Sequence, residues 1–491
     1  MSGTFRASVR RWQGCCADSR PTRPLLSMSR HDDVERCQYQ MFRSHKFFDS
    51  AFVSSQIQFS AGVSVPLASL SPYSTYYSSN SAKMVEKVLQ LKCYCNQYPW
   101  GKQGSESLAA TLCSKTPGTD FEIDEDKPYA EMWMGTYPEL PSYVLSTGED
   151  LQDVLDKDAY ELIGRPVIQK FNHTKLPYLP KVLSIAKALP LQLHPNKSLA
   201  SELHQRNPSG FTDPNHKPEI ALALSDFEAF CGFKPLADID RLMHLPPLQA
   251  FLPVVKKPTF DDQTLKHVVK TMLSASGEAI KKTNDALMEL PRDCFGKDSY
   301  IPDMIPRLSK QYNQTDNGIV VALITMNYLQ LKAGDSIYIP ADGIHAYLSG
   351  DIIECMARSN NVLNTGFCPR ADRDSVNMFI SVLTFTPHDA KEAMLAPEKF
   401  DKSKNGKSKL YAPPLSEFNM FSTELKNDES EAIAAIKGPS VMIVTKGEGT
   451  LNADGKEHKL SEGYIFFIGQ GVEFEFKASK GLLQAFTTFV E

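Results

Sequence analysis

The sequence predicts a mainly β protein with a helical insertion, and three observations carry that reading. Period-two apolar alternation, as in "KVLQLKCYC", marks half-buried strands in both the first and last thirds of the chain. From about Ala237 to Gln314 the period changes. There "LADIDRLMHLPPLQAFL", "LKHVVKTMLSASGEAIKKTNDALMEL" and "MIPRLSKQYNQ" place apolar residues at helical spacing. Finally, "LKAGDSIYIPADGIH" and "LSEGYIFFIGQGVEF" share one design of turn, short apolar strand and turn. Short strands at this spacing point to jelly rolls. The expected architecture is two cupin-type jelly-roll domains plus an α-helical domain.

The elements follow in order. Residues 1–83 form an N-terminal extension. Its first 30 residues are rich in Arg and Ser and nearly free of acid, and the stretch then becomes Ser/Tyr-rich with little core pattern. It reads as a disordered tail or a start upstream of the true one at Met84, with mitochondrial targeting as the lesser alternative. Residues 84–236 give the first part of the first barrel. Within it, "GEDLQDVLDKDAYELIG" is a helix stopped by Gly164. "YLPKVLSIAKALPLQLHP" is strand, turn, strand, and "KPEIALALSDFEAFCGF" is a second strand pair. Residues 237–315 are the helical insertion, whose His244 and His267 read as surface or packing residues. Strand pattern returns at "GIVVALITMNYLQL", so residues 316–396 complete the barrel. Residues 397–491 are a linker, to about 413, and a C-terminal barrel of short strands turned at "KGEG" and "ADGK". His458 is the only imidazole in that barrel, which reads as structural.

Composition narrows the function classes. A formal net charge of −5 over 491 residues gives no electrostatic reason to expect nucleic acid or an anionic membrane as partner. No apolar run is long enough to span a bilayer. Ten scattered Cys read as reduced thiols in a cytoplasmic protein. The sequence leaves monomer against dimer open, with monomer preferred.

The chemistry concentrates in three segments. Gln192 and His194 stand two apart in "PLQLHP", so a strand presents both on one face and Leu191 and Leu193 on the other. Glu219 heads the apolar strand "EIALAL", where a carboxylate is costly to bury unless paired or ligating. His345 follows the turn "PADG" at a barrel mouth. Two imidazoles, a carboxylate and an amide oxygen suit a borderline divalent ion, zinc first, with a position open for water or substrate. Spacing alone does not show that these strands meet.

The motifs "QYPWGKQGSES", "PYAEMWMGTYP", "KVLSIAKALPLQLHPNK", "HKPEIALALSDFEAFCGFKPL" and "GIHAYLSGDIIECMA" closely resemble, in order, those of type I mannose-6-phosphate isomerases. The resemblance runs from about residue 89 to the C-terminus. It implies zinc-dependent interconversion of mannose 6-phosphate and fructose 6-phosphate through a cis-enediol, a step that feeds mannose activation for glycan building. It also implies one Zn2+ per chain on Gln192, His194, Glu219 and His345. Glu354 and Lys217 are the implied catalytic residues. Trp100 and Tyr347 are the implied pocket walls, and Lys197 is an implied phosphate contact. The chain departs from the pattern near this site. Asn364 stands where the family has an Arg, and Arg370 where it has a Lys. Pro190, Asn196 and Tyr137 replace Ser, Asp and His. An Asn cannot make an arginine's bidentate phosphate contact. The departures therefore leave open a metal-binding paralogue with weak, altered or no isomerase activity, in which Arg358, Arg370 or Arg373 is the available substitute cation.

Overall fold

The computed structural model describes residues 85–254 and 260–491. The N-terminal extension lies outside the described residues. Among those described, no helix is long and apolar enough to cross a membrane.

Six strands matter before the helical block: β1 (Val88–Lys92), β2 (Glu131–Trp133), β3 (Tyr178–Ile185), β4 (Leu191–Leu193), β5 (Glu219–Ala223) and β6 (Phe227–Phe233). The block follows with α1 (Leu236–Met243), α2 (Asp262–Ser274), α3 (Gly277–Glu289), α4 (Ile301–Gln311) and α5 (Asn317–Thr325). Helices α2 and α3 are capped by side chains at their starts. Asp261 accepts from the Thr264 amide ahead of α2, and Ser276 from the Ala279 amide ahead of α3. One expectation fails here. Residues 318–325 were expected to be strand, yet they form α5, buried at all nine helical positions. A continuous apolar run carries no period, so burial on every side hides whether it is helix or strand. The tertiary setting decides: Asp316 caps the helix through the Gly318 amide, and α5 packs inside the helical core.

The first barrel then closes with β7 (Met326–Leu331), β8 (Ser336–Ile339), β9 (His345–Ala357) and β10 (Leu363–Gly366). Its spine is β9. The first half of β9 pairs with β6, and His345 lies opposite Gln192 of β4. Its second half pairs with β3 on one side and β5 on the other. Gly350 marks the changeover with φ +120°, and a Cβ there would run into the Asp226 carbonyl. No other residue type fits that bend without strain. Alternation along β5 sorts its side chains. Ala221 and Ala223 face inward with Leu183, Ile352 and Tyr347, while Ile220 and Leu222 face outward.

The C-terminal barrel uses β11 (Ser408–Tyr411), β12 (Asn419–Leu425), β13 (Ser440–Lys446), β14 (Ile465–Ile468) and β15 (Leu483–Phe489) in an eight-stranded sheet. A four-stranded sheet (Ser430–Ile433, Glu448–Ala453, Lys456–Ser461, Phe474–Ala478) faces it over a core that includes Phe421, Phe466, Phe476 and Phe489. The "ADGK" turn is a two-residue hairpin with Asp454 and Gly455 both at positive φ. Two readings are corrected here. The segment expected to be a linker contains β11, which pairs with β12 on one side and with the edge strand Glu398–Lys399 on the other; strands this short carry little apolar pattern to read. And β1, grouped by sequence with the first barrel, pairs with β14 of the C-terminal sheet. Alternation reveals a strand but not its partner.

The eight-stranded sheet is apolar on both faces. Leu89, Leu91, Ile443, Ile465 and Phe467 pack against Val182, Ile220, Leu222 and Ile353 on the outside of the first barrel. Each such buried side chain contributes about 1.5–3 kcal/mol. The first barrel is thus held from behind by the C-terminal sheet. Leu191 and Leu193 of β4 sink into the helical core on another side.

Candidate metal centre

The two leucines of β4 fix the direction of the residues between and after them. With Leu191 and Leu193 in the helical core, Gln192 faces the barrel interior, directly across from His345 and from Asn364 of β10. His194 follows at the end of the strand, its amide donating to the Ala341 carbonyl at 2.8 Å. Glu219 enters from the start of β5, opposite Met356 of β9. The ligand atoms of His194, Glu219 and His345 all lie within 4.8 Å of one another, and all three residues are buried.

The hydrogen-bonding pattern points these atoms inward. His194 Nδ1 is 2.7 Å from the Asn361 carbonyl, and His345 Nδ1 is 3.0 Å from the Gly343 carbonyl. A carbonyl only accepts, so each Nδ1 carries the proton and each Nε2 presents a lone pair. His194 Nε2 sits 3.3 Å from Glu219 Oε1, and His345 Nε2 3.5 Å from Glu219 Oε2. Neither His194 Nε2 nor His345 Nε2 makes a hydrogen bond, while Glu219 Oε1 faces the Lys217 ammonium at 3.2 Å. Buried polar atoms left without partners are costly. A divalent cation at their convergence removes that cost, so the residues present fit a metal. Burial pushes His194 down to about 4, helped by the Lys217 charge, which keeps the imidazole neutral. Burial alone would raise Glu219, but the Lys217 ammonium holds it well below the usual carboxylate range. Its other oxygen accepts from Tyr347 Oη at 3.2 Å.

Beyond this group lies a buried ion chain of which the sequence reading named only Glu354. Glu354 of β9 pairs in register with Lys181 of β3, and Lys181 Nζ is 3.0 Å from Glu354 Oε2. The same ammonium is 3.5 Å from Glu131 Oε2 and 5.1 Å from the Trp133 ring centroid, while Trp133 Nε1 donates to Glu131 at 2.6 Å. Burial raises Glu354 above its ordinary value, against the pull of Lys181, and the Glu219 charge adds to the rise. The available signal was a lysine inside "YLPKVLSI" and a glutamate inside "YAEMWM". Each is a charge in an otherwise apolar strand, which is costly unless paired.

The other expected residues are placed unevenly. Lys217 Nζ reaches Glu219 Oε1 at 3.2 Å, and Tyr347 touches the same carboxylate. Asn364 faces Gln192, and its buried Oδ1 makes no hydrogen bond. Trp100 stacks on Tyr98 in the barrel core. Lys197 is largely exposed, 3.5 Å from Glu417 of the loop before β12. Arg370 is exposed, its guanidinium against Gly277 of α3. The structure therefore brings Gln192, His194, Glu219, His345, Tyr347, Lys217, Glu354 and Asn364 into one barrel interior and leaves Arg370 outside it.

Glu417 itself ties the second barrel to this region. It is buried and accepts from His216 at 2.8 Å, next to Lys217. Burial opposes its ionisation, but His216 and Lys197 overcome that and bring it down to about 2. A folded pKa below the unfolded one stabilises the fold above about pH 4.5, and the contribution fades as pH falls toward 2. Glu417→Gln should thus cost about 2 kcal/mol at neutral pH. In urea unfolding the gap from wild type should shrink through that acidic window, and a gap constant with pH would refute the assignment.

Fold and site together define a class: a two-barrel β protein with a metal-ligand group deep inside its first barrel. Residues 88–236 match the family described as "Phosphomannose isomerase type I, catalytic domain", and residues 408–456 match "Phosphomannose isomerase type I C-terminal". The chain is 38% identical over 432 residues to mannose-6-phosphate isomerase of Saccharomyces cerevisiae, covering 83% of this chain and 100% of that one. It is also 38% identical over 444 residues to the enzyme of Cryptococcus neoformans, again covering 83% and 100%. The crystal structure of mannose 6-phosphate isomerase from Salmonella typhimurium bound to fructose 6-phosphate and zinc shares the fold with a TM-score of 0.69. It is 23% identical and covers 83% of this chain and 100% of that one. The chain belongs to the type I phosphomannose isomerase family.

Proposed function

We propose that the chain is a zinc-dependent aldose–ketose isomerase that interconverts mannose 6-phosphate and fructose 6-phosphate. The observation that carries this is the pair of imidazole lone pairs aimed at one carboxylate inside the barrel of a family member. His194, Glu219 and His345 would hold one Zn2+, with Gln192, opposite His345, as the fourth ligand. Bound there, zinc supplies Lewis acidity to the substrate oxygens.

The rest is the work of this chain's side chains. Glu354 takes the C2 proton of mannose 6-phosphate. The C–H electrons become the C1=C2 bond of a cis-enediol, and the former carbonyl oxygen takes a proton from the Lys217 ammonium. Returning the carboxyl's proton to C1, while the C2 hydroxyl gives its proton back to Lys217, gives the ketose. A carboxyl raised above its ordinary value suits both transfers. Lys181 holds Glu354 in place. Lys217 offers its ammonium to the oxygen on which negative charge develops. Tyr347 orients Glu219 and closes one wall. The seven described cysteines are all free, which supports a reducing, cytoplasmic setting.

The test is direct. The full chain loaded with zinc should form fructose 6-phosphate from mannose 6-phosphate, lose that activity to a chelator and regain it with zinc. Stoichiometric zinc binding without turnover would overturn the reading.

A further inference from the structure

The segment after β9 wraps the metal-ligand group. The Asn361 carbonyl bonds His194, and Asn364 lies opposite Gln192. Arg358 opens this segment, two residues past Met356, which pairs with Glu219. It stands four residues beyond Glu354, about 13 Å of extended chain.

Its guanidinium is fixed by neutral groups. Nη1 donates to Thr136 Oγ1 at 3.0 Å and Nη2 to the Thr136 carbonyl at 2.9 Å. The guanidinium carbon lies 4.3 Å from the centre of the Tyr137 ring, and Tyr137 meets Trp133 edge-on at 5.7 Å. Trp133 in turn carries Lys181 over its face. Arg358 thus sits at one end of the row of aromatic and charged residues that leads to Glu354. Burial lowers its pKa from the ordinary arginine value, and the nearby Glu139 and Asp213 oppose that drop only as background charges. The other cations of this region are engaged or turned away. Lys181 holds Glu354, Lys217 holds Glu219, Lys197 holds Glu417, Arg373 holds Asp316, and Arg370 lies outside. A half-buried guanidinium held only by a hydroxyl, a carbonyl and a ring keeps donors and charge for an anion.

We infer that Arg358, clamped between Thr136 and Tyr137, receives the substrate's phosphate and supplies the cation that Asn364 does not. This rests on the sugar-phosphate reading above. Arginine suits the role because its planar fork matches two phosphate oxygens at once.

The experiment uses the zinc-loaded full chain and the variants Arg358→Gln and Arg358→Lys. Arg358→Gln should raise KM for mannose 6-phosphate about tenfold or more, the loss of a charged hydrogen bond. Competitive inhibition by inorganic phosphate should weaken in parallel, with zinc content and melting temperature held. Arg358→Lys, which keeps the charge, should recover part of both. Unchanged KM and phosphate inhibition in Arg358→Gln would overturn the inference while leaving the isomerase reading intact. So would a loss confined to kcat with a lowered melting temperature, the signature of a structural pin. Should wild type itself not turn over, that reading falls, and calorimetric titration with inorganic phosphate decides. Phosphate binding lost in Arg358→Gln upholds the site, and equal or absent binding rejects it.

Discussion

His345→Ala is expected to leave the chain folded and strip it of zinc. The imidazole is fully buried, and its Nε2 makes no hydrogen bond that the fold would lose. Its Nδ1 contact to Gly343 closes only a local turn. Strand β9 keeps its backbone ladder to β3, β5 and β6 whatever side chain stands at 345. What disappears is one of the two imidazoles in the donor set. Removing a residue that merely orients a ligand costs about 10–100-fold in affinity or activity, so losing the ligand itself should exceed that range. Metal analysis after dialysis should fall from one zinc per chain to near none, and turnover should fall with it. Gln192→Ala removes a neutral amide and should weaken zinc less. Full zinc occupancy in His345→Ala would remove this residue from the metal site.

Glu354→Gln should separate chemistry from metal. The amide keeps the shape and leaves zinc at one per chain, but it cannot carry a proton between carbons. Loss of a positioned general base lowers kcat by about 10²–10⁴. Lys181 is not stranded by the change, because Glu131 remains 3.5 Å away and Trp133 still lies under it. The folded state should therefore survive, as a melting curve would show. A kcat within tenfold of wild type would hand the proton transfer to another group.

Much of this site was legible in the sequence, and the reasons are specific. Gln192 and His194 stood out because a two-residue spacing on a strand has one geometric meaning, and the flanking leucines fixed which face was buried. Glu219 stood out because a carboxylate at the head of an apolar strand demands a partner. Their meeting with His345 was not legible, since it depends on cross-strand register between segments far apart in the chain. The Lys181–Glu354 pair was hidden for the same reason, as each residue alone resembles an ordinary strand charge. The helix α5 was misread because its apolar run has no period. Arg370 was expected in the pocket because its place in the motif suggested a cation there. In the fold its head turns outward, and Arg358 is held by Thr136 and Tyr137 instead.

The pairing of β1 with β14 bears on how the chain is made. A ribosome that has finished the first barrel has already released Val88–Lys92, yet the strand that receives it, Ile465–Ile468, is still untranslated. The earliest described strand must wait for nearly the last before its ladder to β14 can form. Contacts of such long sequence separation slow folding. They also bind the two ends of the described chain into one cooperative body. Cutting the gene between the barrels would leave the C-terminal fragment with an open slot beside β14 and the N-terminal fragment with an apolar strand that has lost that partner. The two barrels look like separable modules along the sequence, but their hydrogen bonds make them a single inheritance.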